Sequence, residues 1–67
     1  MNLPIGKNIK QLRIEAGLTQ RALAYELGVS IQAVSKWEQG HSYPDVTLLP
    51  KIAKIFSVSI DRLFDKP

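Results

Sequence analysis

Cysteine is absent from the sequence. No disulfide can staple the chain, and no thiolate is available to a zinc site. Only one histidine, His41, is present, and no carboxylate or nucleophile lies at a spacing that would make it a catalytic or metal-binding partner. No Gly-rich phosphate cradle occurs either, and the serines sit where helix caps belong, so no catalytic residue, metal or cofactor is expected. No apolar run approaches the roughly 18–20 residues of a membrane span, and the amino end lacks the basic-then-apolar order of a signal peptide. Together with the missing cysteines, this leads to the expectation of a cytoplasmic protein without a membrane partner.

What is present is short: 67 residues. That length suits a single domain over 1–67, and a chain of this size buries only about 60% of the surface its unfolded form exposes. Helix packing or a partner subunit must therefore supply the stability. The net charge of +3 comes from nine basic residues set against six acidic ones. The basic residues are spread along the chain and form no arm or tail, so charge alone says little about a polyanionic partner.

Glycine and proline punctuate a helical pattern. Gly17, Gly28 and Gly40 fall where apolar periodicity stops, as expected of helix ends. A first helix is predicted from about Pro4 to Ala16, with Ile5, Ile9 and Leu12 as its buried stripe. A second is predicted over Gln20–Leu27 and a third over Ile31–Gln39, with Leu18 turning inward between the first two. Pro50 would clash with a carbonyl four residues back if a regular helix began at Asp45, so Thr47 is the expected cap of the fourth. Leu49, Ile52, Ala53 and Phe56 would then face the core. Ser57 offers no glycine for a left-handed end. Ser59 should cap a short fifth helix carrying Ile60, Leu63 and Phe64, and no strand is expected.

The most informative stretch is Thr19 to Gly40. Thr19 caps a helix bearing Ala22, Leu23, Ala24 and Leu27, Gly28 ends it, Val29 plugs the corner, and Ser30 caps the next helix. Two short helices across a three-residue turn are the signature of a helix-turn-helix. The small Ala24 permits a close crossing. Val34 and Trp37 face inward on the second of these helices, which leaves Ile31, Gln32, Ser35 and Lys36 facing outward.

GLTQRALAYELGVSIQAVSKWEQG, followed by YPD and VSIDRLF in order and at suitable gaps, resembles the DNA-binding domain of the phage repressor and Cro family, the xenobiotic-response-element type. The resemblance runs from Ile5 to about Phe64. It implies an all-α, five-helix, lambda-repressor-like domain that binds double-stranded DNA as a transcriptional regulator, with repression the expected mode, the third helix in the major groove and the second across the backbone. It also implies a structural ion pair between Arg13 and Glu38, with Trp37 in the core.

Within that frame Gln32 is the leading candidate for base contact, since a carboxamide can bond adenine N6 and N7 together. Lys36 can reach guanine or a phosphate. Ile31 can touch a thymine methyl or pack on the neighbouring helix, and Ser35 can serve a base or a phosphate. Thr19, Gln20 and Arg21 stand at a helix amino end, where a phosphate is attracted, with Thr19 also acting as cap. Gly40, His41, Ser42 and Tyr43 are candidates for a second phosphate through backbone amides and the tyrosine hydroxyl. Ile60, Leu63 and Phe64 either close the core or contribute to a homodimer surface. The terminal Asp65-Lys66-Pro67 resembles the start of a linker to an additional C-terminal domain. The alternative reading is a protein-interaction module of the same fold that docks onto another regulator.

Overall fold

The computed structural model describes residues 3–66, and among these there is no strand. Four α-helices form: α1 (Ile5–Glu15), α2 (Gln20–Leu27), α3 (Ile31–Glu38) and α4 (Leu49–Ile55). Two 3₁₀ turns, Val46–Leu48 and Ile60–Phe64, flank α4. Pro67, the last residue of the expected linker start, lies outside the described residues.

One apolar face from each α-helix meets in a shared core. Ile5, Ile9 and Leu12 come from α1, Leu23, Ala24 and Leu27 from α2, Val34 and Trp37 from α3, and Ile52 and Ala53 from α4. Leu63 joins them from the second 3₁₀ turn. Ile9, Leu23, Val34, Ile52 and Leu63 are fully enclosed, each worth about 1.5–3 kcal/mol relative to an exposed side chain.

Helix ends are set locally. Thr19 Oγ1 accepts from the Ala22 amide at 3.0 Å and Ser30 Oγ from the Ala33 amide at 3.1 Å, caps worth about 1 kcal/mol each. Gly28, at φ 70°, lets the Val29 amide donate back to the Ala24 carbonyl at 3.0 Å, which fixes the corner between α2 and α3. That double-back closes a helix and redirects the chain in one step.

Three expectations need correction. The fifth helix is a 3₁₀ turn, because the Asn8 amide takes the carbonyls of Leu63 at 2.8 Å and Asp65 at 2.7 Å, turning them away from any helical continuation. Thr47 does not cap α4, whose N-cap is Leu48 without a side-chain bond; Asp45 instead caps the preceding 3₁₀ turn, its carboxylate accepting from the Thr47 amide at 2.9 Å and hydroxyl at 2.7 Å. A 3₁₀ turn then leads in, so Pro50 falls within the first turn of α4, where its missing N–H is harmless. Finally, α4 does end with a left-handed residue, Ser57 at φ 56°, because the Val58 amide must reach the Ala53 carbonyl at 3.0 Å to fold the chain back.

Two buried positions hold α1 in place. Gly6 packs against the backbone of α3, where a Cβ would overlap the Trp37 carbonyl oxygen and lie 2.8 Å from its carbon. Asn8 is wholly enclosed, and its Oδ1 has no hydrogen-bond partner among the described residues.

Candidate nucleic-acid interface

The outward face of α3 is polar. Gln32 and Lys36 are exposed and Ser35 is half-buried, on the side opposite the enclosed Val34 and Trp37. Gln39 completes the stripe at one further turn, and its Nε2 donates to Ser35 Oγ at 2.9 Å. Spacings of three, four and seven residues from Gln32 put all four on one strip of the helix surface. Ile31 differs: it is half-buried and packs against the core at the strip's edge.

An ion-pair network aims this helix. Arg13 Nε donates to Glu38 Oε2 at 2.7 Å and its second terminal nitrogen to Oε1 at 3.0 Å, while the first binds the Leu18 carbonyl at 2.9 Å. Only 3% of the Glu38 side chain is exposed. Those hydrogen bonds hold the Arg13 guanidinium above its ordinary pKa; burial opposes the rise and the Glu38 charge adds to it. A planar fork on a carboxylate is directional as well as strong, so α1 sets the orientation of the carboxyl end of α3.

Gln20 also joins this network, its Nε2 donating to Glu38 Oε1 at 3.0 Å. The first residue of α2 is thereby tied to the last of α3. Thr19 Oγ1 is committed to its cap, while Arg21 stands exposed beside it. In the loop after α3, the Gly40 amide donates to the Trp37 carbonyl at 3.0 Å and the His41 amide to the Lys36 carbonyl at 2.9 Å. Both amides close α3, so neither is open to a phosphate. Tyr43 accepts the Leu3 amide at 3.1 Å through its hydroxyl, a group that can also donate its own proton. Ser42 and His41 are exposed.

Ile60 and Phe64 lie at the surface with 39% of each exposed, while Leu63 is enclosed. Among the described residues no three His, Asp or Glu side chains gather to hold a metal ion, and no helix is long and apolar enough to cross a membrane.

Three positions that matter to this arrangement escape sequence reasoning. Asn8 sits at i+3 on the apolar stripe begun by Ile5, and a polar residue there is the available signal. Gly6 is a glycine inside a helical pattern, itself an anomaly that points to close backbone approach. Gln39 follows from extending the outward strip by one turn.

Comparison with known proteins gives concordant matches. The chain is 46% identical over 61 residues to the HTH-type transcriptional activator BcrR of Enterococcus faecalis, covering 91% of this chain and 30% of that protein. Among solved structures, a transcriptional regulator from Listeria innocua superposes with a TM-score of 0.88 at 28% identity, over 100% of this chain and 63% of that one. Hydroxypropylphosphonic acid epoxidase from S. wedmorenis also matches, with a TM-score of 0.84 at 28% identity, over 96% of this chain and 34% of the epoxidase. The same arrangement of helices thus occurs in a regulator and as part of an enzyme, and shape alone does not assign a role. This chain spans between 30% and 50% of the length of the first curated relatives it matches. Residues 9–63 match the family described as Helix-turn-helix, which includes the whole of α2, the corner and α3. The chain belongs to the helix-turn-helix family.

Proposed function

We propose that this chain is a sequence-specific duplex-DNA-binding module of a transcriptional regulator, acting by binding and without catalysis. The observation that carries the reading is the outward strip on α3, with Gln32 and Lys36 exposed and Ser35 half-buried between them, opposite an enclosed Val34 and Trp37. A helix clamped by the core on one side and by Glu38 at its end offers a rigid row of side chains to a major groove. In this reading Gln32 bonds a base edge, Lys36 takes guanine or a phosphate, and Ile31 supplies apolar contact at the strip's edge. The backbone contacts fall to Arg21, Ser42 and the Tyr43 hydroxyl, with Thr19 and Gln20 presenting the amino end of α2.

Residues 1–67 form one module in this proposal, placed in the cytoplasm with its target. One such module offers about 600–1,000 Å² of interface, so a two-fold dimer reading half-sites roughly 34–36 Å apart fits useful affinity. Repression is the mode proposed for the module by itself, because occupying a groove requires no contact beyond DNA. BcrR, named an activator, has most of its length outside the matched part.

The test is selection of bound duplexes from a random pool across a salt series. A specific motif is expected, with affinity falling steeply from low to physiological salt. Gln32→Ala should cost about 1–3 kcal/mol at one base pair, and Lys36→Ala on a phosphate should weaken all sequences alike with a shallower salt slope. Absence of any retained duplex, together with tight pairing to a protein partner, would replace this reading with that of an interaction module.

A further inference from the structure

A cleft separates the first turn of α1 from the carboxyl end of α3. Leu3 and Lys7 line one wall and Glu38, Gln39 and Gly40 the other, and the walls stand close because Gly6 lets α1 rest on the Trp37 backbone. Gln39 is the last residue of the outward strip on α3, so across the cleft the strip meets Lys7. From this placement, which rests on the DNA-binding reading above, we infer that Lys7 is a further contact residue, taking a backbone phosphate beside the carboxyl end of α3.

The loop after α3 leads to the same place. Tyr43, given a backbone contact in that reading, accepts the Leu3 amide through its hydroxyl, and Leu3 shares a wall of the cleft with Lys7. The strip and the loop thus converge on one basic side chain of α1. Charge also singles it out. Lys7 is exposed, and the positions one turn away on its own helix surface, Leu3, Pro4, Lys10 and Gln11, carry no carboxylate. Glu38 is the acid that lines the cleft, but only 3% of its side chain is exposed and its oxygens are held by Arg13 and Gln20. An ammonium on a flexible four-carbon stem meets a phosphate as a point charge, fixing register without reading sequence. Lys7 would add to the contact proposed for Arg21 on α2 one from a different helix.

The test measures equilibrium binding of the full chain to the duplex selected from a random pool, across a salt series, for wild type, Lys7→Ala, Lys7→Arg and Lys10→Ala. Lys10 is the matched control, an exposed lysine of α1 that does not line the cleft. Lys7→Ala should weaken all sequences alike, by roughly fivefold. The slope of log affinity against log salt should become shallower by about 0.9, with base preferences unchanged. Lys7→Arg should keep both affinity and slope near wild type, and Lys10→Ala should alter the slope less than Lys7→Ala. Ethylation of individual phosphates supplies the local readout: one phosphate whose ethylation impairs the wild-type chain should cease to matter in Lys7→Ala.

A Lys7→Ala variant with the slope and ethylation pattern of wild type would overturn the inference while leaving DNA binding intact. So would equal losses in Lys7→Ala and Lys10→Ala without a change at any single phosphate, which would mean a diffuse effect of net charge. A changed base preference in Lys7→Ala would replace the phosphate contact with a base contact and overturn it as well. Failure of the wild-type chain to retain any duplex removes the DNA reading, and this inference with it. Unchanged thermal unfolding of each variant separates these outcomes from misfolding.

Discussion

Replacing Gly6 with alanine should destabilise the protein, although the same change inside an exposed helix is ordinarily favourable. Alanine gains about 1 kcal/mol over glycine in helix propensity. Against this, the added Cβ would overlap the Trp37 carbonyl oxygen, sit 2.8 Å from its carbon and reach 3.4 Å from the Glu38 Cα. These are backbone atoms of α3, which cannot rotate aside as a side chain would. The helices must move apart, drawing Ile5 and Ile9 off the Trp37 and Val34 side of the core. Overpacking of this kind costs roughly 1–3 kcal/mol, and a clash with backbone belongs at the upper end of that range. After the gain in propensity, the net loss is about 2 kcal/mol, a sizeable part of the roughly 3–10 kcal/mol expected of a domain this small. Urea unfolding followed by Trp37 fluorescence measures it. With a slope of about 1 kcal/mol per molar for so small a domain, the midpoint should fall by about 2 M with the slope unchanged. A midpoint equal to or above that of wild type would mean that α1 and α3 do not approach as closely as Gly6 implies, and the reasoning would fail.

Ser57→Gly should stabilise the chain by about 0.5–1 kcal/mol, because relief of the left-handed strain at φ 56° outweighs glycine's greater freedom when unfolded; an unchanged melting midpoint would contradict this. Arg13→Leu should cost about 3–5 kcal/mol by leaving the Glu38 carboxylate enclosed without its partner, whereas Gln20→Ala should cost only about 1 kcal/mol; equal losses in denaturant titrations would argue against Arg13 as the principal partner. The Asp45 carboxyl is held below the usual carboxylate range by the Thr47 amide and then by the Thr47 hydroxyl. Its cap therefore contributes fully above the unfolded value of about 3.9 and fades as pH falls through the lower folded value. The stability difference between wild type and Asp45→Ala should accordingly shrink on acidification below that range, and a difference constant with pH would exclude the carboxylate cap.

How much of this was legible in the sequence depends on how local the cause is. The bounds of α2, the Thr19 and Ser30 caps and the glycine corner at Gly28 follow from a few adjacent residues, and the structure has them at those positions. The outward placement of Gln32 and Lys36 follows from helical periodicity alone. The end of α4 was not legible, because the left-handed turn at Ser57 is imposed by the Val58 amide reaching back to Ala53 and by the need to bring Leu63 into the core. Local propensity argues for glycine there, and tertiary closure overrides it. Likewise, nothing near Ile60–Phe64 in sequence announces that Asn8, more than fifty residues away, will claim its carbonyls. Commitment of the Gly40 and His41 amides to α3 was in principle readable, since a glycine that ends a helix spends its own amide and the next on the last turn.

The exposed strip of α3 is oriented by a helix that stands behind it. Three features of α1 act on different parts of the chain: Gly6 admits the Trp37 backbone, Arg13 grips Glu38, and Asn8 fastens the segment that carries Leu63. Two of these fix α3 near its carboxyl end, while the Gly28 corner and the Ser30 cap fix its amino end. A helix of eight residues held at both ends has little freedom to pivot. In the proposed DNA-bound arrangement the helix axis is therefore already oriented before binding, which lowers the ordering cost of association. In the proposed DNA-binding role, packed residues such as these bear on recognition through the orientation they give α3. Gly6 is the clearest case, because its only contribution is the absence of a side chain.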